Sequence, residues 1–164
     1  MKPLLVLIVS IACSYLQAQD KIPAGFKKGI LVMGDSSVVY GYVREHIRSN
    51  ASLVFLAGSK EKRQCLDGTQ IRSVQIDSIR YLCIKGDFFK VLSEGKLCFL
   101  QKAGDASGKP VYNGTEPLLI NGTDGRLGDY FVYDSRDRVL RVITRKTMYR
   151  SMKEVVEIYN HDNK

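Results

Sequence analysis

The residues best suited to catalysis in this chain are few and lie far apart in the sequence. There are two histidines, His46 and His161, and the second lies near the C-terminus. His46 and Cys65 are a base and a nucleophile by residue type, but the sequence offers no third group to orient the imidazole. The motifs H-E-x-x-H and G-x-S-x-G and any clustered set of metal ligands are absent. We therefore predict no catalytic residue, no metal site and no cofactor, and we favour a non-enzymatic protein over a small hydrolase with an unrecognised site.

A second set of chemically meaningful residues is basic and lies towards the C-terminus. Residues 134–153 contain seven basic and two acidic side chains, a net charge of +5 in a chain whose total is +8. Such a region attracts anionic partners, although a solvated face that aids solubility is the plainer interpretation. The partners that we consider are an envelope protein, an anionic glycan and a lipid head group. The candidate binding residues are Arg136, Arg138, Arg141, Arg145, Lys146 and Arg150.

The cysteines exclude some chemistry. No C-x-x-C occurs, which argues against thiol-redox and zinc-ribbon sites. Cys65, Cys83 and Cys98 remain when the N-terminal Cys13 is set aside, and an odd number excludes a complete disulfide framework. Cys83 and Cys98 lie on neighbouring predicted strands and are the best pair for one disulfide. Because both have apolar neighbours in the sequence, we prefer to interpret them as buried, inert thiols.

The N-terminus predicts export. Lys2 precedes an apolar stretch, residues 4–13, that is too short to span a bilayer, and the small residue Ala18 follows. This pattern predicts a signal peptide over residues 1–18 and a periplasmic or extracellular protein, and no nucleic-acid partner is expected there. The alternative is lipidation of Cys13, because Ser-Ile-Ala-Cys resembles a bacterial lipobox and would anchor the protein to a membrane.

The elements that must position these residues are mostly strands. Removing residues 1–18 leaves 146 residues with a charge of +7, which suits a single domain over 19–164 without a transmembrane span. Apolar runs rich in Val, Ile and Tyr around turn residues predict antiparallel hairpins, the first over residues 29–43. Gly41 predicts a bend or bulge in this hairpin. Tyr40 and Tyr42 share one face of the strand, which we expect to pack on the core rather than to line a ligand surface.

The second half of the chain adds a loop and a helix. Residues 103–129 contain six of the 14 glycines and two of the four prolines, which predicts a long polar loop that is functional or mobile. Tyr149, Met152, Val156 and Tyr159 follow at helical spacing. This stripe predicts an amphipathic helix over about 148–159 that packs on the sheet.

The order of these segments resembles a known group. KKGILVMGDSSVVYGYV, SLVFLA, FFKVLSEGKLCFLQK and DYFVY, followed by a basic strand and a closing helix, resemble uncharacterised exported β-rich proteins of Bacteroidota-type bacteria. The part through Ile79 also resembles an SH3-like or Sm-like small barrel. Neither resemblance implies an activity or a site residue.

These observations lead to one prediction for the fold and one for the function. The fold class is mainly β (α+β), with antiparallel hairpins that form a small SH3-like or Sm-like barrel or sheet and one C-terminal amphipathic helix. The predicted function is that of an exported, envelope-associated binding or structural module that contacts anionic envelope material through its basic C-terminal region.

Overall fold

The structure of the chain is a computed structural model that describes residues 22–59, 61–112 and 117–143, together with residues 153, 156, 157, 160 and 161. The continuous ranges contain twelve β-strands and a helix of one turn. The elements are β1 (Lys27–Met33), β2 (Val38–His46), α1 (Ile47–Asn50), β3 (Ser52–Leu56), β4 (Gln64–Asp67), β5 (Ile71–Ile76), β6 (Ile79–Ile84), β7 (Asp87–Ser93), β8 (Leu97–Gly104), β9 (Pro110–Tyr112), β10 (Pro117–Leu119), β11 (Tyr130–Asp134) and β12 (Val139–Ile143).

Ten of these strands form one antiparallel sheet, in the order β12-β11-β8-β7-β6-β5-β1-β2-β3-β4. Most neighbours are consecutive in the chain, as expected where short turns connect antiparallel strands. Two contacts join strands that are distant in the sequence, namely β1 with β5 and β8 with β11. The mainly β, antiparallel prediction is therefore confirmed. The predicted loop over residues 103–129 contains a hairpin of its own, β9 with β10.

The sheet is open, so the expectation of a closed small barrel is not met in the described residues. The first part of the sheet nevertheless curls back on itself, because Gly68, directly after the edge strand β4, forms an isolated bridge with Gly86 between β6 and β7. A Cβ atom at residue 68 would lie 2.1 Å from the Gly86 carbonyl oxygen, so only glycine allows this approach. One bridge joins the curled end to the sheet, whereas a barrel needs a continuous ladder there.

Gly41, for which a bend or bulge is predicted, instead makes room for a neighbouring strand. A Cβ atom there would lie 2.2 Å from the Leu56 carbonyl oxygen and 2.7 Å from the Phe55 ring. The pairing of β1 with β2 continues through Gly41 without a register shift, so the residue permits a close approach of β3 rather than a bulge.

Three apolar clusters form the core. The curled part encloses the largest cluster, which includes Leu31, Val74 and Phe88 and to which β1, β5 and β7 contribute. The flatter part, β6 to β8 with β11 and β12, carries two smaller clusters. One is centred on Phe89, Leu100 and Phe131, and the other on Phe99, Ile143 and Val156.

The predicted helix over about 148–159 lies mostly outside the described residues, including Tyr149, Met152 and Tyr159 of its apolar stripe. The described residues of this segment and just after it are helical, namely Lys153, Val156, Glu157, Asn160 and His161. Val156 is buried against Phe99 and Ile143, as the stripe predicts. None of the helices in the described part of the chain has the length and apolar character needed to cross a membrane.

The side chain of Asn160 fixes the C-terminal segment on β8. Its carboxamide accepts a hydrogen bond from the Leu97 N–H at 3.1 Å and donates one to the Leu97 carbonyl at 2.8 Å. Gly95 makes room for this contact, since a Cβ atom there would lie 2.2 Å from the Asn160 carboxamide carbon. The carboxamide therefore pairs with Leu97 as another strand would.

Candidate functional site

A large cavity lies where the curled and flatter parts of the sheet meet. This junction cleft has a volume of about 620 Å³ and lies between α1, Tyr81 on β6, Gln101 on β8 and the loop residues Leu127 and Gly128. Concave sites of this size that gather a few polar side chains are the usual place for a ligand or for chemistry. Its polar side chains include Glu45, His46 and Arg48.

Tyr81 and Glu45 form the coupled pair of the cleft. Burial raises the pKa of the Tyr81 hydroxyl, and both the negative charge of Glu45 and the hydrogen bond to its carboxylate act in the same direction. The hydroxyl therefore stays protonated at neutral pH and donates to the carboxylate. A tyrosine in this state can donate a hydrogen bond, but it is a poor nucleophile and a poor base.

His46 lies in the cleft, but the nucleophile considered from the sequence does not. The Ser49 hydroxyl donates to the His46 carbonyl oxygen at 3.3 Å, so this contact is with the backbone and not with the imidazole. Cys65, the nucleophile considered from the sequence, is exposed on β4 and does not line the cleft. The structure therefore does not bring together the His46–Cys65 pair at this site.

A buried ion pair holds one wall of the cleft. Lys102 on β8 and Asp87 at the start of β7 are completely buried, and the Lys102 Nζ atom lies 2.9 Å from Asp87 Oδ2. The same carboxylate accepts hydrogen bonds from the Ala106 N–H at 2.6 Å and from the Thr123 N–H and hydroxyl. The Lys102 ammonium also donates to the carbonyls of Thr123 and Gly125. Both charges are thus paired and hydrogen-bonded, which is the condition for stable burial.

This Asp87–Lys102 pair orders the predicted loop over residues 103–129. The backbone of Lys102 completes the attachment, because its N–H donates to the Asp129 carbonyl and its carbonyl accepts from the Gly128 N–H. Gly122 has a φ of +58°, and a Cβ atom there would lie 2.2 Å from the Ser107 hydroxyl oxygen. The saturated pair has no capacity left for a substrate, so its role is to position the Leu127–Gly128 wall of the junction cleft.

Sequence reasoning missed this pair, although a signal is present. Asp87 directly precedes the apolar Phe88-Phe89, and Lys102 follows the apolar Phe99-Leu100. The register of the hairpin places Lys102 opposite Phe89. The register shifts twice between β7 and β8, so counting outward from the hairpin turn does not bring the two charges together.

Three of the predicted basic residues lie together on one hairpin. Arg136 and Arg138 occupy the turn between β11 and β12, Arg141 lies on β12, and all three are exposed. None of them forms an ion pair with another residue of the described ranges. We call Arg136, Arg138 and Arg141 the basic hairpin.

The structure says less about the remaining basic residues of the region 134–153. Arg145, Lys146 and Arg150 lie outside the described residues, as does Cys13. Lys153 is described and lies 3.6 Å from the Glu157 carboxylate, one helical turn further along. The charge of this part of the region is therefore partly compensated.

A disulfide between Cys83 and Cys98, the alternative to buried free thiols, does not fit the strand register. Cys83 lies opposite Phe88 on one side of β7, whereas Cys98 lies on β8, on the other side of β7. Adjacent strands are about 4.8 Å apart, so two strand spacings exceed the ~7 Å that a disulfide tolerates between Cα atoms. Both cysteines are free thiols. Burial raises the pKa of the Cys83 thiol, with a further contribution from Asp67, which makes it unreactive.

The described residues contain no group of three or more His, Cys, Asp or Glu side chains that could hold a metal ion. No protein-family model, no curated protein and no solved structure matches the chain.

Proposed function

We propose that the protein is an exported module of the bacterial cell envelope that binds anionic envelope material through the basic hairpin. The observation that carries the proposal is that Arg136, Arg138 and Arg141 are exposed on one hairpin and form no ion pair within the described residues. An unpaired guanidinium is free to bind a phosphate or carboxylate in a bidentate manner. The sequence of residues 1–18 supports export, and the proposed host group is Bacteroidota-type bacteria.

The proposal extends the basic surface beyond the described hairpin. Arg145, Lys146 and Arg150 would continue it at the start of the amphipathic helix proposed for about 148–159. The burial of Val156 and the helical backbone of Lys153 and Glu157 support this helix. Anionic polymers and membranes carry repeated charges, so several arginines on one surface suit them better than a single anion.

The test is retention on immobilised lipopolysaccharide, an anionic glycolipid, with the double variant Arg136→Glu/Arg141→Glu. Reversing two of the proposed contact charges should weaken binding by at least about tenfold, and retention of the unaltered protein should fall as salt is added. The matched control is Lys62→Glu/Arg63→Glu, which makes the same change of charge at two exposed residues before β4. Equal losses in both double variants would show a response to net charge alone and would overturn the basic hairpin as the binding surface.

The junction cleft supports one alternative, a small hydrolase. The supporting observation is that His46 and the Glu45 carboxylate line the same 620 Å³ cavity, an arrangement suited to general acid–base chemistry. The protonated state of Tyr81 and the backbone contact of Ser49 weigh against nucleophilic catalysis there. Hydrolysis of p-nitrophenyl acetate by the purified protein that His46→Ala abolishes would favour the enzyme, whereas equal rates with and without His46 would exclude it at this site.

A further inference from the structure

A second concave surface lies on the outer face of the sheet, away from the basic hairpin. Two rows of side chains cross the strands there. Gln75 on β5 pairs with Ile30 on β1, which pairs with Tyr40 on β2. In the next row Lys28 pairs with Tyr42. Together with Asp77, these side chains line a groove of about 450 Å³, the tyrosine groove.

The exposure of this surface differs from what the sequence predicts. Tyr40 is 69% exposed and the adjacent Val38 is 51% exposed, although their alternation suggested a face packed on the core. In the curled sheet, the inner side of the same strands is filled by Leu31 and Val43. The tyrosines therefore lie on the outer side. Small residues shape the groove beside them, since Ala57 and Gly58 form part of its lining.

The position of the groove determines how a ligand can be recognised. Strands β1 and β2 are each paired on both sides, so their backbone groups are occupied and cannot accept an additional strand. Recognition must therefore come from side chains. The tyrosine rings provide flat apolar surfaces with a polar tip, and Gln75 adds an amide group at the rim.

The charges at the rim indicate the class of ligand. The groove has one cationic side chain, Lys28, and one anionic side chain, Asp77, whose carboxylate also lies 3.7 Å from Lys27. A strongly anionic or cationic ligand would meet a like charge as well as an opposite one. Neutral hydroxyl groups can donate to the carboxylate and accept from the ammonium, so a polyhydroxylated ligand without net charge is complementary to this rim.

We propose that the tyrosine groove is a binding site for a neutral oligosaccharide, with the apolar face of a sugar ring stacked on Tyr40. The sugar hydroxyls would bond to Lys28, Asp77 and Gln75 at the rim. The volume of the groove is in the range of small-ligand sites and suits one or two sugar rings better than an extended peptide. The site does not depend on the basic hairpin, so either can fail without the other.

The chain allows a direct binding test, because it has no tryptophan and tyrosine emission is therefore not masked. The purified protein is titrated with maltohexaose, cellopentaose and penta-N-acetylchitopentaose, all uncharged, and with a proline-rich peptide. We expect at least one oligosaccharide to bind, and Tyr40→Ala to weaken that binding about tenfold. Tyr40→Phe keeps the ring and should retain most of the affinity.

Two controls separate this site from other effects. Tyr112→Ala removes another tyrosine, 73% exposed on β9 and outside the groove, and should bind as the unaltered protein does. Arg136→Glu/Arg141→Glu should likewise keep oligosaccharide binding while losing lipopolysaccharide, and thermal unfolding of each variant verifies its fold. Absence of binding by all three oligosaccharides, unchanged affinity of Tyr40→Ala, or binding of the proline-rich peptide in place of the sugars would each overturn the proposal.

Discussion

Lys102 on β8 and Arg141 on β12 are both cations within strands of the same sheet, but their surroundings are opposite. Lys102 is completely buried, and its ammonium contacts the carboxylates of Asp87 and Asp105 and two backbone carbonyls. Arg141 is exposed and has no ion-pair partner among the described residues. A buried cation with saturated contacts serves the fold, whereas an exposed cation without a partner is available to a ligand.

The comparison also shows why charge counts along the sequence are a poor guide to function. The count over residues 134–153 identified the basic hairpin because its charges are close together in the chain. The Asp87–Lys102 pair contributes no net charge and its members are separated by a hairpin, so the same count cannot reveal it. Burial and pairing therefore decide what a charged residue does, and both are set by strand register.

The largest expected effect comes from breaking the buried pair. Lys102→Met leaves the Asp87 carboxylate buried without its cation, which should reduce the free energy of unfolding by about 3–5 kcal/mol. Urea unfolding at neutral pH measures this loss. Hydrogen exchange should accelerate at Thr123 and Gly128, because their loop would lose its attachment to β8.

The matched control for this change is an exposed pair on the same sheet. Arg80 forms two hydrogen bonds of 3.0 Å with the Glu94 carboxylate, but both side chains are about half exposed. Arg80→Met should therefore cost less than about 1 kcal/mol. If Lys102→Met reduced the free energy of unfolding no more than Arg80→Met does, the Asp87–Lys102 pair would not be what holds the loop over residues 103–129 in place.

A smaller effect is expected at Tyr81 in the junction cleft, because its partner Glu45 is exposed. Tyr81→Phe removes the hydrogen bond to Glu45, which should cost about 1 kcal/mol near neutral pH. The pKa of Tyr81 is raised in the folded protein above its usual value of 10.0. Above pH 10 the unfolded chain loses this proton first, so the stabilisation is complete below pH 10 and disappears as the pH rises through the folded-state pKa.

The measurement is urea unfolding of both proteins between pH 7 and pH 11. The unaltered protein should lose stability more steeply above pH 10 than Tyr81→Phe does, and the difference between the two curves isolates Tyr81 from the other tyrosines and lysines. Parallel curves over this range would show that burial and Glu45 do not raise the pKa of Tyr81 in the folded state.

The sequence was most informative about local structure. Hairpins centred on Gly34, Glu94 and Arg136 could be predicted, because alternating apolar residues and turn residues are local signals. The burial of Val156 was also predicted from helical spacing. The extension of the sheet to ten strands was not, because β11 and β12 join it through the pairing of β8 with β11 across 25 intervening residues, 105–129.

The candidate sites were less predictable because they also depend on contacts between segments that are distant in the sequence. Two-residue alternation places Tyr40 and Leu31 on opposite sides of the sheet, but it does not say which side is buried. The curl that decides this depends on close approaches at Gly41 and Gly68 to chain segments further along the sequence. The junction cleft is likewise assembled from parts separated by up to about 80 residues, from Glu45 to Gly128.

The smallest change in stability is expected for the basic hairpin, in contrast to the large loss expected for Lys102→Met. Arg136→Glu/Arg141→Glu alters exposed side chains without ion-pair partners in the described ranges, so the free energy of unfolding should stay within about 0.5 kcal/mol of the original value. Urea unfolding of this variant beside Lys102→Met, in the same buffer, makes the comparison directly. A loss above about 2 kcal/mol would mean that these arginines help to hold β11 and β12 together, and weaker retention on lipopolysaccharide would then report unfolding rather than a lost contact. An unchanged stability with weakened retention assigns the exposed arginines to binding and leaves the buried lysine to the fold.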